Sequence, residues 1–407
     1  MKQQIFTNNL QWELQARQII PAGCSTLAKS PNRLFRNYSP FCAQSANGSR
    51  FTDIDGNVWL DCEMAMGTVV WGHNNPFVNA AIIKQLNSGI AFSVAGSNEL
   101  QLAHKLLSRL TCFEALKFFK NGADAVYAAI RASRFFSKRE KVLSCEYHGW
   151  LDWSCFHYYQ LSPEACGIPK NITETHVPCI VRSSEILEQV SKHQHQLACV
   201  VLCPEHYTAE ELYEINTLCK MNEIFVIFDE VTSGIRFGRN GVSGTYNIWP
   251  DFLCLSKGLT NGLPLAVCLG SRDTILKMEQ LKISNAHSSE NLSIAAAIAC
   301  EESMESSLIW PVWQDKGNNM LDKIHSEIKK NGLERHLHLT GYSGNFHMYT
   351  QKDIYSDPFR ELFVKQLAQA GIFTRGFILL STAHTDDDIT YVTQIICDTV
   401  KHYANTI

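Results

Sequence analysis

The 407-residue sequence lacks any apolar run long enough to cross a bilayer; its most apolar helical stretch, Leu292 to Cys300, is far too short. Its first segment, MKQQIFTNNLQWELQ, has no apolar centre, so no secretory signal is expected. There is no C-x-x-C among the 15 cysteines and no HExxH among the 15 histidines, and no metal is expected. His193 and His195, in KHQHQ, read as a solvated turn. Cys199, Cys203, Cys254 and Cys268 lie inside apolar runs and read as buried thiols of a reducing compartment, the cytoplasm, rather than as disulfides. No strand is followed by GxGxxG, which excludes a nicotinamide-dependent dehydrogenase of the usual kind. No basic run with interleaved aromatics is present, and 36 Lys plus Arg against 40 Asp plus Glu leave a net charge of −4. Neither nucleic acid nor membrane is an expected partner.

What is present suits a globular enzyme. Hydrophobic residues make up 45% and charged residues 19%, enough apolar material for a sizeable core. The length exceeds one ordinary core and predicts two domains. The run FTDIDGNVWLD (51–61) predicts a hairpin turning at Asp55-Gly56. From about 100 to 270, short apolar runs alternate with helical stretches. Strands are expected at 116–120, 141–145, 198–203, 224–228, 251–255 and 265–269, with helices from Asp124 and over 208–222. That alternation predicts a mostly parallel sheet with helices on both faces, an α/β fold. After about 290, helices at 291–305, 311–330, 358–370 and 385–404 mix with strand-like 337–350 and 372–380. The expected organisation is an N-terminal segment and hairpin (1–65), a large α/β domain (66–290) and a C-terminal α+β part (291–407), the first and last forming one smaller domain.

In such sheets, ligands bind beyond the carboxyl ends of the strands. After the first strand come Asn121-Gly122-Ala123-Asp124 at a helix start, where free N–H groups suit a phosphate, although a strand-to-helix turn with glycine is also common. Glu146-Tyr147-His148-Gly149 follows the second and offers an aromatic for stacking or for plain packing. Asp229-Glu230 follows an apolar run, as a cap or as a carboxylate aimed at a cationic ring nitrogen. Ser256-Lys257-Gly258 ends another run, with a surface lysine or a Schiff-base lysine. Each signal is ambiguous alone. Together they supply a phosphate cup, a stacking ring, a carboxylate for a pyridinium and an amine for an aldehyde, the four needs of pyridoxal 5'-phosphate.

The segments NGADA, YHGW, IFDEVTSGIRFG, LSKGLTNGLPLAVCLG and STAHTDDDI resemble the class III (fold-type I) aminotransferases, as do DIDGNVWLD and MGTVVWGHNNPFV. Within that family the chain is most similar to glutamate-1-semialdehyde 2,1-aminomutase and its aminotransferase-like relatives, over about residues 17 to 404. The resemblance implies a seven-stranded, mostly parallel sheet with a smaller domain built from both termini. It implies pyridoxal 5'-phosphate bound as a Schiff base to Lys257, which also shuttles the proton, and Asp229 on the ring nitrogen. Val231 and Tyr147 would cover the ring faces, Gly122 and Ala123 would bind phosphate, and His148 and Glu230 would support the site. Arg33, in SPNRLF, would hold a substrate carboxylate. A homodimer is implied, because the family sends a threonine from the neighbouring subunit to the phosphate. The corresponding stretch here, 285–289, has no threonine, leaving His287 or Ser288 as substitutes. The phosphate cup has Ala123 where the family has a hydroxyl residue, and Cys203-Pro204 stands where it has Glu-Pro. The expected activity is transfer of an amino group from a small-molecule donor to an aldehyde or ketone. The alternative is intramolecular transfer by an aminomutase. A non-catalytic subunit is a remote third reading, opposed by the presence of both Lys257 and Asp229.

Overall fold

Asp53 organises the expected hairpin. In the computed structural model its Oδ1 accepts the N–H groups of Asp55 and Asn57 at 3.0 and 2.9 Å, and its Oδ2 accepts Trp59 Nε1 at 3.0 Å. Gly56 turns at φ 82°, a conformation open to glycine and costly for most residues. The strands on either side are β2 (Arg50–Asp53) and β3 (Val58–Asp61), with β1 (Ala43–Asn47) paired antiparallel to β2. The structure describes residues 5–144, 146–155, 166–305, 309–351 and 357–406. Cys145 and most of the stretch 151–168 lie outside them. The chain forms two compact units, Met1–Pro76 with Ser307–Ile407, and Phe77–Ser306.

The second unit is built on β4 (Ala115–Phe119), β5 (Lys141–Ser144), β6 (His176–Pro178), β7 (Leu197–Leu202), β8 (Phe225–Glu230), β9 (Phe252–Leu255) and β10 (Ala266–Gly270). They form a seven-stranded sheet in the order β4-β10-β9-β8-β7-β5-β6. All neighbours are parallel except β10, which runs antiparallel to both β4 and β9. Side chains alternate between two cores. Val200, Leu202, Val226, Phe228, Leu253 and Leu255 enter one. Cys199, Val201, Ile227, Phe252, Cys254 and Cys268 enter the other. A strand buried on both faces reads as a continuous apolar run, which is why these strands were visible in the sequence. On the cysteine face packs the helix Gly122–Ser137, whose Ala125, Ala128, Ala129 and Ala132 let the backbones come close. The described cysteines are all free thiols.

In the other unit, β11 (His338–Tyr342) and β12 (Asn345–Tyr349) form a second hairpin. The run 372–380, expected as one strand, is two. β13 (Ile372–Phe373) pairs parallel with β3, and β14 (Phe377–Leu379) pairs with β12 in a different sheet. The break falls at Gly376, at φ 116°, a conformation open chiefly to glycine, and Thr374 Oγ1 accepts Gly376 N at 2.9 Å and donates to Phe377 O at 2.6 Å. Helices Thr7–Ile19, Ile309–Lys330, Pro358–Gln369 and Asp386–Ala404 also belong to this unit. Among the described residues no helix is long and apolar enough to cross a membrane.

Candidate active site

Three strand ends of the large sheet meet through residues with little or no side chain. Asn121 caps the helix after β4, its side chain accepting Asp124 N at 3.0 Å, so Gly122 and Ala123 form the first turn with backbone N–H groups free of the helix ladder. A Cβ on Gly122 would collide with the Val231 side chain that follows β8. A Cβ on Gly149, after β5 and at φ 105°, would stand 2.5 Å from Ala123 Cβ. These contacts bring the predicted phosphate cup beside Val231, which is half-buried.

Asp229 and Glu230 were expected just beyond β8. They are its last two residues, paired with Cys254 and Leu255 of β9. Consecutive strand residues point to opposite faces, so the two carboxylates part company. Glu230 accepts Val242 N and Ser243 N at 2.8 Å and Ser243 Oγ at 2.5 Å, and holds the segment that starts the helix Gly241–Tyr246. Burial lifts its carboxyl to about 7 against those hydrogen bonds. Asp229 is buried on the other face, where its Oδ1 accepts Val231 N at 3.1 Å and its Oδ2 faces His148 Nδ1 at 2.7 Å.

Lys257 lies three residues past Cys254, the partner of Asp229. Its φ is 40°, an uncommon conformation for a residue with a side chain, and its Nζ donates to Thr232 Oγ1 at 2.6 Å. Burial pushes its pKa below the usual 10.5, while Asp229, Glu205 and Cys203 pull the other way. Tyr147 is about half exposed, between buried Glu146 and His148. His287 is exposed in a turn where its N–H meets Asn285 Oδ1 at 3.1 Å. Ser288 Oγ is buried with no hydrogen-bond partner among the described residues. Arg33 sits in the unit formed by the termini, half-buried at the end of a 3-10 turn (Pro31–Arg33), its carbonyl accepting Arg360 Nη2 at 2.6 Å.

Several neighbours were not anticipated. Glu146 lies beside His148 and accepts Tyr207 Oη at 2.6 Å. Cys203 Sγ is 4.0 Å from His148 Nδ1. Glu205 accepts Ser233 Oγ at 2.8 Å, and burial among other carboxylates lifts it to about 7. The signal for Glu146 was its place two residues before His148, just past the end of β5. The ligating atoms of His148, Cys203 and Asp229 lie within 4.8 Å of one another. The His148–Asp229 hydrogen bond accounts for that closeness, and burial pushes the Cys203 thiol well above its ordinary value, which opposes the thiolate a metal needs. The same residues fit a pyridine cofactor: a buried carboxylate for a cationic nitrogen, an amine on the neighbouring strand end, and small residues with free N–H groups at a helix start.

Relatives agree with this chemistry. A glutamate-1-semialdehyde 2,1-aminomutase of Methanococcoides burtonii is 28% identical, with 92% of this chain and 94% of that protein covered. A 2'-deamino-2'-hydroxyneamine transaminase of Streptomyces kanamyceticus is 30% identical, with 72% and 74% covered. The crystal structure of an omega-transaminase from Sphaerobacter thermophilus shares the fold, with a TM-score of 0.84 at 20% identity and 97% of each chain covered. The family described as Aminotransferase class-III matches residues 34–383, so the chain belongs to the class-III aminotransferases, enzymes that use pyridoxal 5'-phosphate.

Proposed function

We propose that this enzyme moves an amino group from a small-molecule donor to an aldehyde or ketone, with Lys257 as the covalent anchor and proton carrier and Asp229 as the ring-nitrogen partner. The observation that carries the assignment is the register of β8 and β9, which pairs Asp229 with Cys254 on β9, the strand that ends at Leu255 and from which the chain runs on to Lys257. The cofactor supplies an aldehyde that condenses with amines and a ring that takes up the electron pair freed when the amine's Cα–H bond breaks. Lys257 Nζ takes that proton and hands it on; its lowered pKa favours the neutral amine that a base must be. Asp229 holds a proton on the ring nitrogen. Gly122 and Ala123 N–H groups hold the phosphate, and Val231 and Tyr147 cover the ring. Intramolecular transfer is the second reading, supported by the relatives named as aminomutases and by the segment around Arg33.

One substrate panel tests both. Amino donors and carbonyl acceptors are offered to the wild type and to Arg33→Ala, following loss and recovery of the cofactor's visible band. A transaminase loses the band with a donor and regains it with a separate acceptor, whereas an aminomutase turns over its substrate with no external donor. A guanidinium pairs with a carboxylate in a two-pronged geometry. Arg33→Ala is therefore expected to raise KM for an acid substrate about tenfold or more over a matched uncharged amine, for ~1.5–3 kcal/mol of charge-assisted hydrogen bonding. Equal losses for both would remove Arg33 from recognition.

We also propose a cytoplasmic C2 homodimer. Phe77, Ile83, Leu86, Phe92 and Val94 stand exposed on the large unit, as does the turn at His287, which in the family meets the partner's phosphate site. Light scattering is expected to give twice the chain mass, with an interface of roughly 2,000 Å² or more. A stable, active monomer would refute the assembly.

A further inference from the structure

Glu146, His148 and Asp229 form a line of charge that the activity alone does not require. Tyr147 separates the first two in sequence and is exposed, while both its neighbours are buried. His148 Nδ1 lies 2.7 Å from Asp229 Oδ2, and His148 Nε2 lies 3.6 Å from Glu146 Oε2. Both ring nitrogens thus face carboxylate oxygens. A neutral imidazole can donate from one nitrogen only, while an imidazolium donates from both. The Trp153 ring stacks on the imidazole at 5.6 Å and 18°, fixing its plane. Glu146 is itself held by Tyr207 Oη at 2.6 Å.

We propose that Glu146 is a positioning residue that, acting through His148, fixes the charge presented by Asp229 to the cofactor's ring nitrogen across the neutral pH range. The proposal rests on the assignment of Asp229 made above. With Glu146 and Asp229 ionised and His148 protonated, the line carries one net negative charge, matching one protonated ring nitrogen. Without the Glu146 charge, a protonated His148 would cancel Asp229, and the match would return only where His148 loses its proton. Burial opposes the imidazolium, but the hydrogen bond to Asp229 and the nearby Asp229 and Glu146 carboxylates outweigh it and lift His148 from 6.5 to about 9. Burial likewise opposes the Glu146 charge, yet His148 and Tyr207 bring its pKa below the ordinary value. The other titratable groups around the line are Cys203, Glu205, His206 and Lys257. Burial pushes the Cys203 thiol up and His206 and Lys257 down, and burial beside the other carboxylates lifts Glu205 to about 7. A group raised on folding stabilises fully below its unfolded pKa. The contribution of His148 is therefore complete below 6.5 and is lost as pH climbs through about 9.

The test reads His148 directly in the cofactor-free protein by NMR of labelled histidine, with His148→Gln identifying the signal. In wild type the His148 step is expected near 9. In Glu146→Gln it is expected to fall by about one unit or more, a tenfold loss of proton affinity. In the cofactor-loaded variant the visible band should gain a pH step at that same lower value. A His148 step that stays put in Glu146→Gln would overturn the proposal, as would a wild-type His148 that is neutral at pH 7. If Glu146→Gln does not fold, the wild-type titration decides alone. Failure of the Asp229 assignment would show separately, as wild-type-like turnover in Asp229→Asn.

Discussion

Lys257→Ala is expected to lose both covalent cofactor attachment and turnover. Nothing in alanine can form the carbon–nitrogen link or carry the proton from the substrate's Cα. Turnover should fall by more than about 10⁴-fold, the upper end of what one acid–base group contributes, because anchor and proton carrier are lost together. The fold should survive. Alanine keeps the Cβ, so the cost of the φ of 40° at this position is already carried by the wild type. Among the described residues, the side-chain hydrogen bond to be lost is the one to the half-buried Thr232 hydroxyl, which solvent can replace. Borohydride reduction of wild type followed by peptide mapping should find the cofactor on Lys257, and the variant should show none at any lysine with its circular dichroism unchanged. Labelling at another lysine would sink the assignment.

The positions of Lys257 and Asp229 were legible because each ends a run buried on both faces, and such runs announce themselves as unbroken Val, Ile, Leu, Phe and Cys. The hairpin at Asp55-Gly56 and the cap at Asn121 were legible because the turn and the cap are chemistry of neighbouring residues. Direction was not. Nothing local in Ala266–Gly270 says that it runs against both neighbours, since antiparallel pairing there depends on where the chain returns. The split of 372–380 turned on Gly376, a single residue inside an apolar stretch. β6 was missed because it spans three residues and ends in Pro178. The partner of Glu230 lies 12 and 13 residues away in a segment with no signature of its own. Glu146 lies past the end of β5, where strand alternation no longer says which side chains are buried, so its place beside His148 was not legible in the sequence.

Asp229→Asn isolates charge from shape. The amide has the carboxylate's size, so β8 should keep its register, and its one side-chain oxygen can still accept from either Val231 N or His148 Nδ1, which now meet different carboxylate oxygens at 3.1 and 2.7 Å. What it cannot do is hold a proton on a ring nitrogen. A neutral amide offers that nitrogen an N–H donor, which favours the unprotonated ring and removes the sink for the Cα electron pair. The nearby charges do not compensate, because protonated His148 then stands with only Glu146 opposite it and repels a second cation. The site excludes enough water for the loss to be felt: Asp229 is 6% exposed and His148 3%. Removing one preorganised electrostatic group of this kind costs on the order of 100- to 1,000-fold in kcat, about 3–4 kcal/mol. The cofactor should remain attached, since Lys257 is untouched, so the variant should be coloured and slow. KM should move much less than kcat, because the charge acts after the substrate has bound. Stopped-flow measurement of the first half-reaction, with the visible band followed at saturating donor, separates the two. A half-reaction within a few-fold of wild type would mean that the ring nitrogen does not depend on this carboxylate, and that Asp229 serves to seat His148 instead.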